Sequence, residues 1–219
     1  MKRIFHPLIV FAAHTHSPLW IALVGADGCG KTAVIEKLKQ QTGSGIHSDI
    51  FVLERSRKHA SVGQPVRNYD RPPHSPLVSV GKLCWAAVRW QVQYTKTRHT
   101  LRNDVSLILS DYHYFTGVSI DPLRYRYGGP KSLPEWMAAH LVHPHAFIFL
   151  DAPLEVIYDR KQEATREETQ NLIESYRKWA QKTQNVCIVD ASQPLDQVST
   201  RVACEVNRLL GLNRSETDQ

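Results

Sequence analysis

The chain has 219 residues, 42% hydrophobic and 22% charged, with a formal net charge of +6; this suffices for one buried core and excludes intrinsic disorder and fibrous repeats. No apolar run approaches the roughly 20 residues needed to cross a bilayer, so a soluble protein is expected. Ten Lys/Arg against one acid, Asp70, lie between residues 55 and 102, giving that segment +9 and leaving −3 elsewhere; such local basicity suits an anionic small molecule, an acidic surface or nucleic acid alike.

Residues 1–19 read as an N-terminal extension. Lys2 and Arg3 ahead of apolar residues 8–13 faintly suggest a secretory leader, but cleavage would leave no strand before the glycine-rich loop that begins at Gly25, so a cytoplasmic protein is expected. The four cysteines (Cys29, Cys84, Cys187, Cys204) form no C-x-x-C pair, and reduced thiols are the expected state. From residue 20 onward, apolar β-type runs alternate with helical patterns. Strands are expected at 20–24, 46–53, 105–109, 146–150 and 186–189, and helices at 30–41, 77–100, 133–142, 153–162, 167–182 and 194–210. That alternation predicts an α/β domain over residues 20–212: a five-stranded, mainly parallel sheet with helices on both faces. The last helix is the clearest, with Leu195, Val198, Val202, Val206 and Leu209 on one face. On the long central helix, Trp85, Val88, Trp90 and Val92 are expected in the core. Residues 55–76, rich in Pro, Arg, Ser and His, read as a long surface excursion, and residues 213–219 as a polar tail.

Residues 25–32, GADGCGKT, fit G-x-x-x-x-G-K-[ST] in full, with a strand before and a helix after. In that setting backbone N–H groups and a helix N-terminus converge on an anion. Gly25, Gly28, Cys29, Gly30, Lys31 and Thr32 are therefore the expected ATP-binding residues, with Lys31 reaching the β and γ phosphates and the Thr32 hydroxyl on Mg²⁺. Cys29, at a helix start, is either a thiol of lowered pKa or a small residue that fits. No [NT]-K-x-D element accompanies the loop, which disfavours a GTPase, and the length leaves no room for a second motor region. A small kinase with the three-layer α/β/α P-loop fold needs only an acceptor pocket, an acid near the metal and mobile arginines.

Asp111 closes the third strand and should emerge beside the loop at the carboxyl edge of the sheet. There it would hold Mg²⁺ through water, accept the acceptor's proton, or simply cap a helix. Asp27 inside an anion-binding loop is electrostatically unfavourable and needs a reason, such as a hydroxyl to orient. Arg160, Lys161 and Arg166 flank the acidic stretch Glu163, Glu167 and Glu168, where a lid over about 160–168 could close and supply cations; an exposed helix end with i,i+4 pairs reads the same way. Tyr125 and Tyr127, interleaved with Arg124 and Arg126, suit either a base and phosphate grip or an edge strand. His140, His143 and His145 lack an accompanying carboxylate or thiol and are expected to hold no metal.

The loop with its third-position acid, together with SDYHYF (110–115), IDPLRYRYGG (120–129), LDAPLEVIYDRK (150–161) and VDASQP (189–194), resembles the thymidylate kinase family over about residues 20–210, and specifically a divergent thymidylate kinase-like branch. The resemblance implies that Asp27 helps position the acceptor nucleotide, that Ala191 and Ser192 lie in an adenine-contacting loop, and that the acceptor is taken by the excursion carrying Arg55, Arg67 and Arg71. The family's Asp-Arg after its third strand is Asp111-Tyr112 here, so either a neighbour such as Arg124 or Arg126 replaces that arginine or the acceptor differs. The function so implied is ATP·Mg²⁺-dependent phosphoryl transfer to a nucleoside monophosphate such as dTMP. Two alternatives stand beside it: a kinase of a sugar, glycan precursor or nucleoside, and a nucleic-acid-binding P-loop ATPase, for which no recognition motif is present. The expected partner is a small anionic acceptor, with a homodimer left open.

Overall fold

A computed structural model of the chain describes residues 19–41, 50–53, 71–100, 107–141, 143–162 and 164–209. In chain order the elements are β1 (Leu19–Val24), α1 (Lys31–Gln41), β2 (Ile50–Leu53), α2 (Pro76–Thr100), β3 (Leu107–Ser110), α3 (Tyr114–Ile120), α4 (Ser132–His140), β4 (Ala146–Asp151), α5 (Leu154–Arg160), α6 (Arg166–Lys182), β5 (Val186–Asp190) and α7 (Leu195–Leu209). The five strands form one sheet in the order β2-β3-β1-β4-β5, and every pairing is parallel.

Because both faces of such a sheet are covered by helices, its central strands are apolar throughout rather than alternating. Ile21, Leu23, Leu107, Leu109, Ile148 and Leu150 face one side and pack with Val34 and Leu38 of α1 and Val198, Val202 and Val206 of α7. On the other side, Trp20 and Ile108 meet Leu83 and Trp90 of α2, Phe115 and Val118 of α3 and Met137 of α4, while Ala22, Val24, Phe147 and Phe149 meet Ala180, Tyr176 and Trp179 of α6. The indole N–H of Trp20 donates to Ser110 Oγ at 3.0 Å inside this packing, tying β1 to β3.

Two expectations change in the structure, and two open alternatives take a definite local form. Helix α3 has no counterpart in the periodicity reading: seven residues, four of them buried, are too short and too uniformly enclosed to show a polar face. On α2, Trp90 is buried and stacks on Trp20 at 5.5 Å, but Trp85, Val88 and Val92 are 70%, 58% and 46% exposed. Trp85, Val88 and Val92 recur at helical spacing on one side, whereas Leu83, Trp90 and Tyr94 share the other, so α2 has two apolar faces and only one meets the sheet. Residues 122–126 form turns instead of an edge strand, with Tyr127 buried and its hydroxyl donating to Pro130 O at 2.9 Å. Glu167 and Glu168 belong to the first turn of α6, where Thr165 and Glu168 close a capping box, so they stabilise a helix N-terminus. Residues 1–18, 54–70, Glu163 and 210–219, on which the extension, most of the excursion, part of the lid and the tail fall, lie outside the described residues.

Candidate active site

The connections leaving β1 and β3 run in opposite directions across the sheet, so the crevice between their carboxyl ends is a topological switch point, where open α/β sheets bind ligands. The glycine-rich loop leaves β1 there and Asp111 leaves β3. A cleft of about 650 Å³ opens at this place, within the range of a small-molecule site. Of the residues singled out by sequence, Gly25, Asp27, Gly28, Gly30, Lys31, Thr32, Asp111, Arg124, Tyr125 and Arg160 line it.

The loop's shape depends on glycines at two close approaches. Gly25 has φ +146°, and a Cβ there would sit 2.6 Å from Leu150 O. Gly28 has φ +95°, and its Cβ would lie 2.9 Å from Ile157 O and 3.1 Å from the Cβ of Lys161. The end of α5 thus rests on the crest of the loop because that residue lacks a side chain. Cys29 is 1% exposed and packs in the core, so it is the small residue that fits. Lys31 folds back over its own loop: Nζ donates to Gly25 O at 2.8 Å and Ala26 O at 3.0 Å and lies 3.9 Å from Asp27.

Across the cleft, Thr32 Oγ1 is 3.5 Å from Asp111 Oδ2, and Asp111 Oδ1 is buried without a hydrogen-bond partner. A hydroxyl beside an unsatisfied carboxylate oxygen is a hard-oxygen donor set that fits Mg²⁺, which keeps several waters and takes few protein ligands. The three histidines are each engaged with backbone instead. His140 Nδ1 meets Trp136 O, His143 Nδ1 meets Leu141 O, and His145 Nδ1 accepts from the Trp20 N–H.

Asp27 is held between cations. Burial alone would raise its pKa, but Lys31, Arg124 and Lys161 together bring it down to about 2. Arg124 forms an ion pair with Asp27 Oδ2, which overcomes desolvation and pushes the guanidinium above its ordinary range. Tyr125 packs over Gly117, whose added Cβ would meet the Tyr125 hydroxyl at 2.5 Å, and edges onto Tyr114 at 5.4 Å. Tyr176 completes this wall, its phenol raised well above its usual pKa by desolvation first and by Tyr125 next.

The cations divide differently from the sequence expectation. Arg160 lines the cleft and donates to Ala191 O at 3.0 Å, linking α5 to the turn after β5. Arg166 instead pairs with Glu155 at 2.9 Å, both side chains being largely exposed; it lies outside the cleft lining. Arg126 also lies outside, its Nε donating to Pro72 O. Arg71 is exposed and is not among the residues that line the cleft, while Arg55 and Arg67 are outside the described residues. Ala191 is buried, and the Asp190 carboxylate accepts from Ser192 N at 2.9 Å and Ser192 Oγ at 2.6 Å, a self-closed turn beside, not in, the cleft lining. Sequence reasoning did not assign Tyr112, His113, Thr116, Gly117 or Tyr176 to the site, yet all five line it, as does Lys161, named only with the lid. Lys161 had a signal in its place beside Arg160; Tyr176 read only as the apolar face of its helix.

The comparisons agree with this architecture. The thymidylate kinase family model matches residues 23–202. The fold is similar to that of thymidylate kinase from Candida albicans, with TM-score 0.61 and 19% identity over 90% of this chain and 93% of that one. It is also similar to deoxyadenosine kinase from M. mycoides, with TM-score 0.57 and 11% identity over 87% of this chain and all of that one in the structure with dCMP and dCDP. The structure of that enzyme with dATP gives TM-score 0.54 and 15% identity, over 86% and 100%. A search of curated protein sequences finds no match. With the family's sequence pattern running from β1 into α7 on this five-stranded frame, the chain belongs to the thymidylate kinase family, P-loop phosphotransferases whose phosphate donor is ATP.

Proposed function

We propose that the cleft transfers the γ-phosphoryl of ATP to a nucleoside monophosphate, dTMP or a close analogue, in the cytoplasm. The observation that carries this reading is the meeting, at one switch point, of a phosphate loop, the Thr32–Asp111 oxygen pair and the Arg124 and Tyr125 wall. The acceptor's phosphate oxygen attacks the γ phosphorus, the bond to the β–γ bridging oxygen breaks, and ADP leaves with that oxygen. Lys31 exchanges the loop carbonyls for phosphate oxygens and neutralises the charge that spreads over them. Arg160 and Lys161 stand over the loop and add cations on the donor side. Thr32 directly and Asp111 through water would hold Mg²⁺, which would supply positive charge to offset that of the phosphates. Tyr125 and Tyr176 offer aromatic faces for the acceptor.

Tyr112 in place of an arginine after Asp111 favours a second reading, a nucleoside or sugar acceptor that brings no phosphate of its own. Incubation with ATP, Mg²⁺ and a panel of nucleoside monophosphates, nucleosides and sugars, followed by mass spectrometry, separates the two. A nucleoside diphosphate supports the first reading, and a phosphorylated sugar or nucleoside alone overturns it. A homodimer is part of the proposal. What supports it is the uncovered apolar face of α2 (Leu77, Val78, Trp85, Val88, Val92), and sedimentation of Trp85→Lys against wild type tests it: a variant that sediments like wild type removes that support.

A further inference from the structure

Arg124 and Tyr125 reach the cleft from a turn, residues 121–129, and not from a regular element. Within the turn the Arg124 N–H donates to Asp121 Oδ1 at 3.1 Å, and the Arg126 N–H donates to Leu123 O and the Tyr127 N–H to Pro122 O, both at 2.8 Å. Arg126 has a left-handed φ of 51°, which a bulky residue keeps only where its surroundings over-determine it. Those surroundings come from a strap, residues 71–75, outside the cleft lining. The His74 N–H donates to Arg126 O at 2.8 Å, and Arg126 Nε donates to Pro72 O at 3.0 Å. Pro72 and Pro73, whose rings fix φ, stiffen the strap. Arg126 is thus gripped at both its carbonyl and its guanidinium.

Ser79, in the first turn of α2, joins turn to strap. It is 2% exposed, and its hydroxyl accepts from the Gly128 N–H at 2.9 Å and donates to His74 O at 3.3 Å. A serine hydroxyl has a single hydrogen to give, so this one is committed on both sides. A Cβ on Gly128 would run into His74 O, so turn and strap also touch backbone to backbone. Lys82, further along α2, donates to His74 Nε2 at 2.6 Å and fixes the strap to the helix a second time. None of Pro72, His74, Ser79, Lys82 and Arg126 lines the cleft.

We propose that Ser79 and Arg126 are positioning residues for phosphoryl transfer: they lock the turn from outside the cleft, so that Arg124 and Tyr125 stand in place before a substrate enters. The inference rests on this cleft being the site of transfer, and not on which substrate meets the wall. On an untethered turn, backbone and side chains would lose their freedom when the substrate binds, whereas on a locked turn that loss has already occurred on folding. Ser79 touches no substrate, so its removal acts through the wall alone.

The test is a cycle of wild type, Ser79→Ala, Arg124→Met and the double variant, assayed with ATP, Mg²⁺ and dTMP or the acceptor that the panel above identifies. Arg124→Met raises the KM of one substrate tenfold or more. Ser79→Ala raises the KM of that same substrate three- to tenfold, leaves the other within twofold, and has less than half this effect in the Arg124→Met background. Arg126→Met, which keeps the stem and loses the bond to Pro72, moves the same KM in the same direction. A readout free of turnover is fluorine NMR of protein carrying 3-fluorotyrosine, with the Tyr125 resonance assigned by its loss in Tyr125→Phe. That resonance is single and narrow in wild type and broadens or splits in Ser79→Ala, while those of Tyr94 and Tyr158 stay unmoved. A Tyr125 resonance equally narrow in both proteins, a Ser79→Ala effect additive with Arg124→Met or spread over both substrates, or an Arg124→Met enzyme with wild-type constants overturns the proposal. A wild type inert toward every acceptor refutes transfer in this cleft instead, and the fluorine spectrum then decides the lock by itself.

Discussion

Replacing Lys31 with Met keeps the hydrocarbon stem and removes the ammonium, to which the proposed mechanism gives a catalytic duty beside its structural one. In the unliganded loop Nζ donates to two carbonyls, at 2.8 and 3.0 Å, and stands 3.9 Å from Asp27. Each such bond is worth on the order of 1 kcal/mol net. Gly25 borders the open cleft, where its carbonyl can turn to water, while Ala26 is buried, so the stability cost should be about 1–2 kcal/mol. For a chain of this size that is a fall in Tm of roughly 2–8 °C. The catalytic duty is larger. Removal of one preorganised charge partner from a developing transition state costs about 3–4 kcal/mol, or 10²–10³ in kcat. Calorimetry with a coupled ADP-release assay on the same preparation reads both. The expected result is a folded protein with a slightly lowered Tm, kcat reduced at least 100-fold, and acceptor KM within threefold. A folded variant that keeps more than a tenth of wild-type kcat, about 1.4 kcal/mol of barrier, refutes the role of Lys31, and a Tm collapse with normal residual turnover would make the lysine structural.

Arg160→Ala, which removes a cleft cation tied to Ala191, should lower kcat at least tenfold, while Arg166→Ala breaks only an exposed pair and should leave kcat within threefold and stability within about 1 kcal/mol; equal losses in both would restore Arg166 to the site. Gly117→Ala places a methyl group 2.5 Å from the Tyr125 hydroxyl, so the acceptor KM should rise fivefold or more with ATP KM unchanged, and an unchanged acceptor KM would separate Tyr125 from acceptor binding. Gly28→Ala combines a φ of +95° with a Cβ 2.9 Å from Ile157 O; it should cost about 2 kcal/mol from the backbone alone and weaken ATP in equilibrium titration, against which wild-type ATP affinity would count decisively. Because the folded-state pKa of Asp27 is depressed, from 3.8 to about 2, its contribution of roughly 2 kcal/mol is complete above about pH 4 and lost as pH falls toward 2. Acid unfolding of Asp27→Asn should therefore lack this component, and a stability curve parallel to wild type between pH 4 and 2 would argue against the depressed pKa.

What could be read in advance is what local chemistry determines. The strand, GADGCGKT and helix at residues 19–41 stand where the sequence puts them, because tight turns, anion-binding N–H groups and a helix start are all specified within one short segment. The apolar stripe of α7 likewise locates its own buried face in Val198, Val202 and Val206. Helix α2 shows where periodicity stops being informative: Trp85 and Trp90 are equally apolar, and only the position of the sheet decides that Trp90 is buried while Trp85 is not. Arg166 and Arg160 are chemically alike and six residues apart, yet one finds Glu155 and the other the cleft, a difference set by where α5 ends and the capping box starts α6. The Asp27–Arg124 pair was the least legible, since it joins a loop after β1 to a turn after α3 and depends on the strand order that brings β3 next to β1.

The central claim is direct phosphoryl transfer within this cleft to a nucleotide acceptor. ATP labelled with ¹⁸O on the γ-phosphoryl, incubated with Mg²⁺ and dTMP and followed by mass spectrometry, measures that step. The account predicts dTDP carrying the labelled γ oxygens, formed by wild type and not by Lys31→Met. Label appearing only in inorganic phosphate, with dTMP unchanged or with hydrolysis stimulated by polynucleotide, would contradict it.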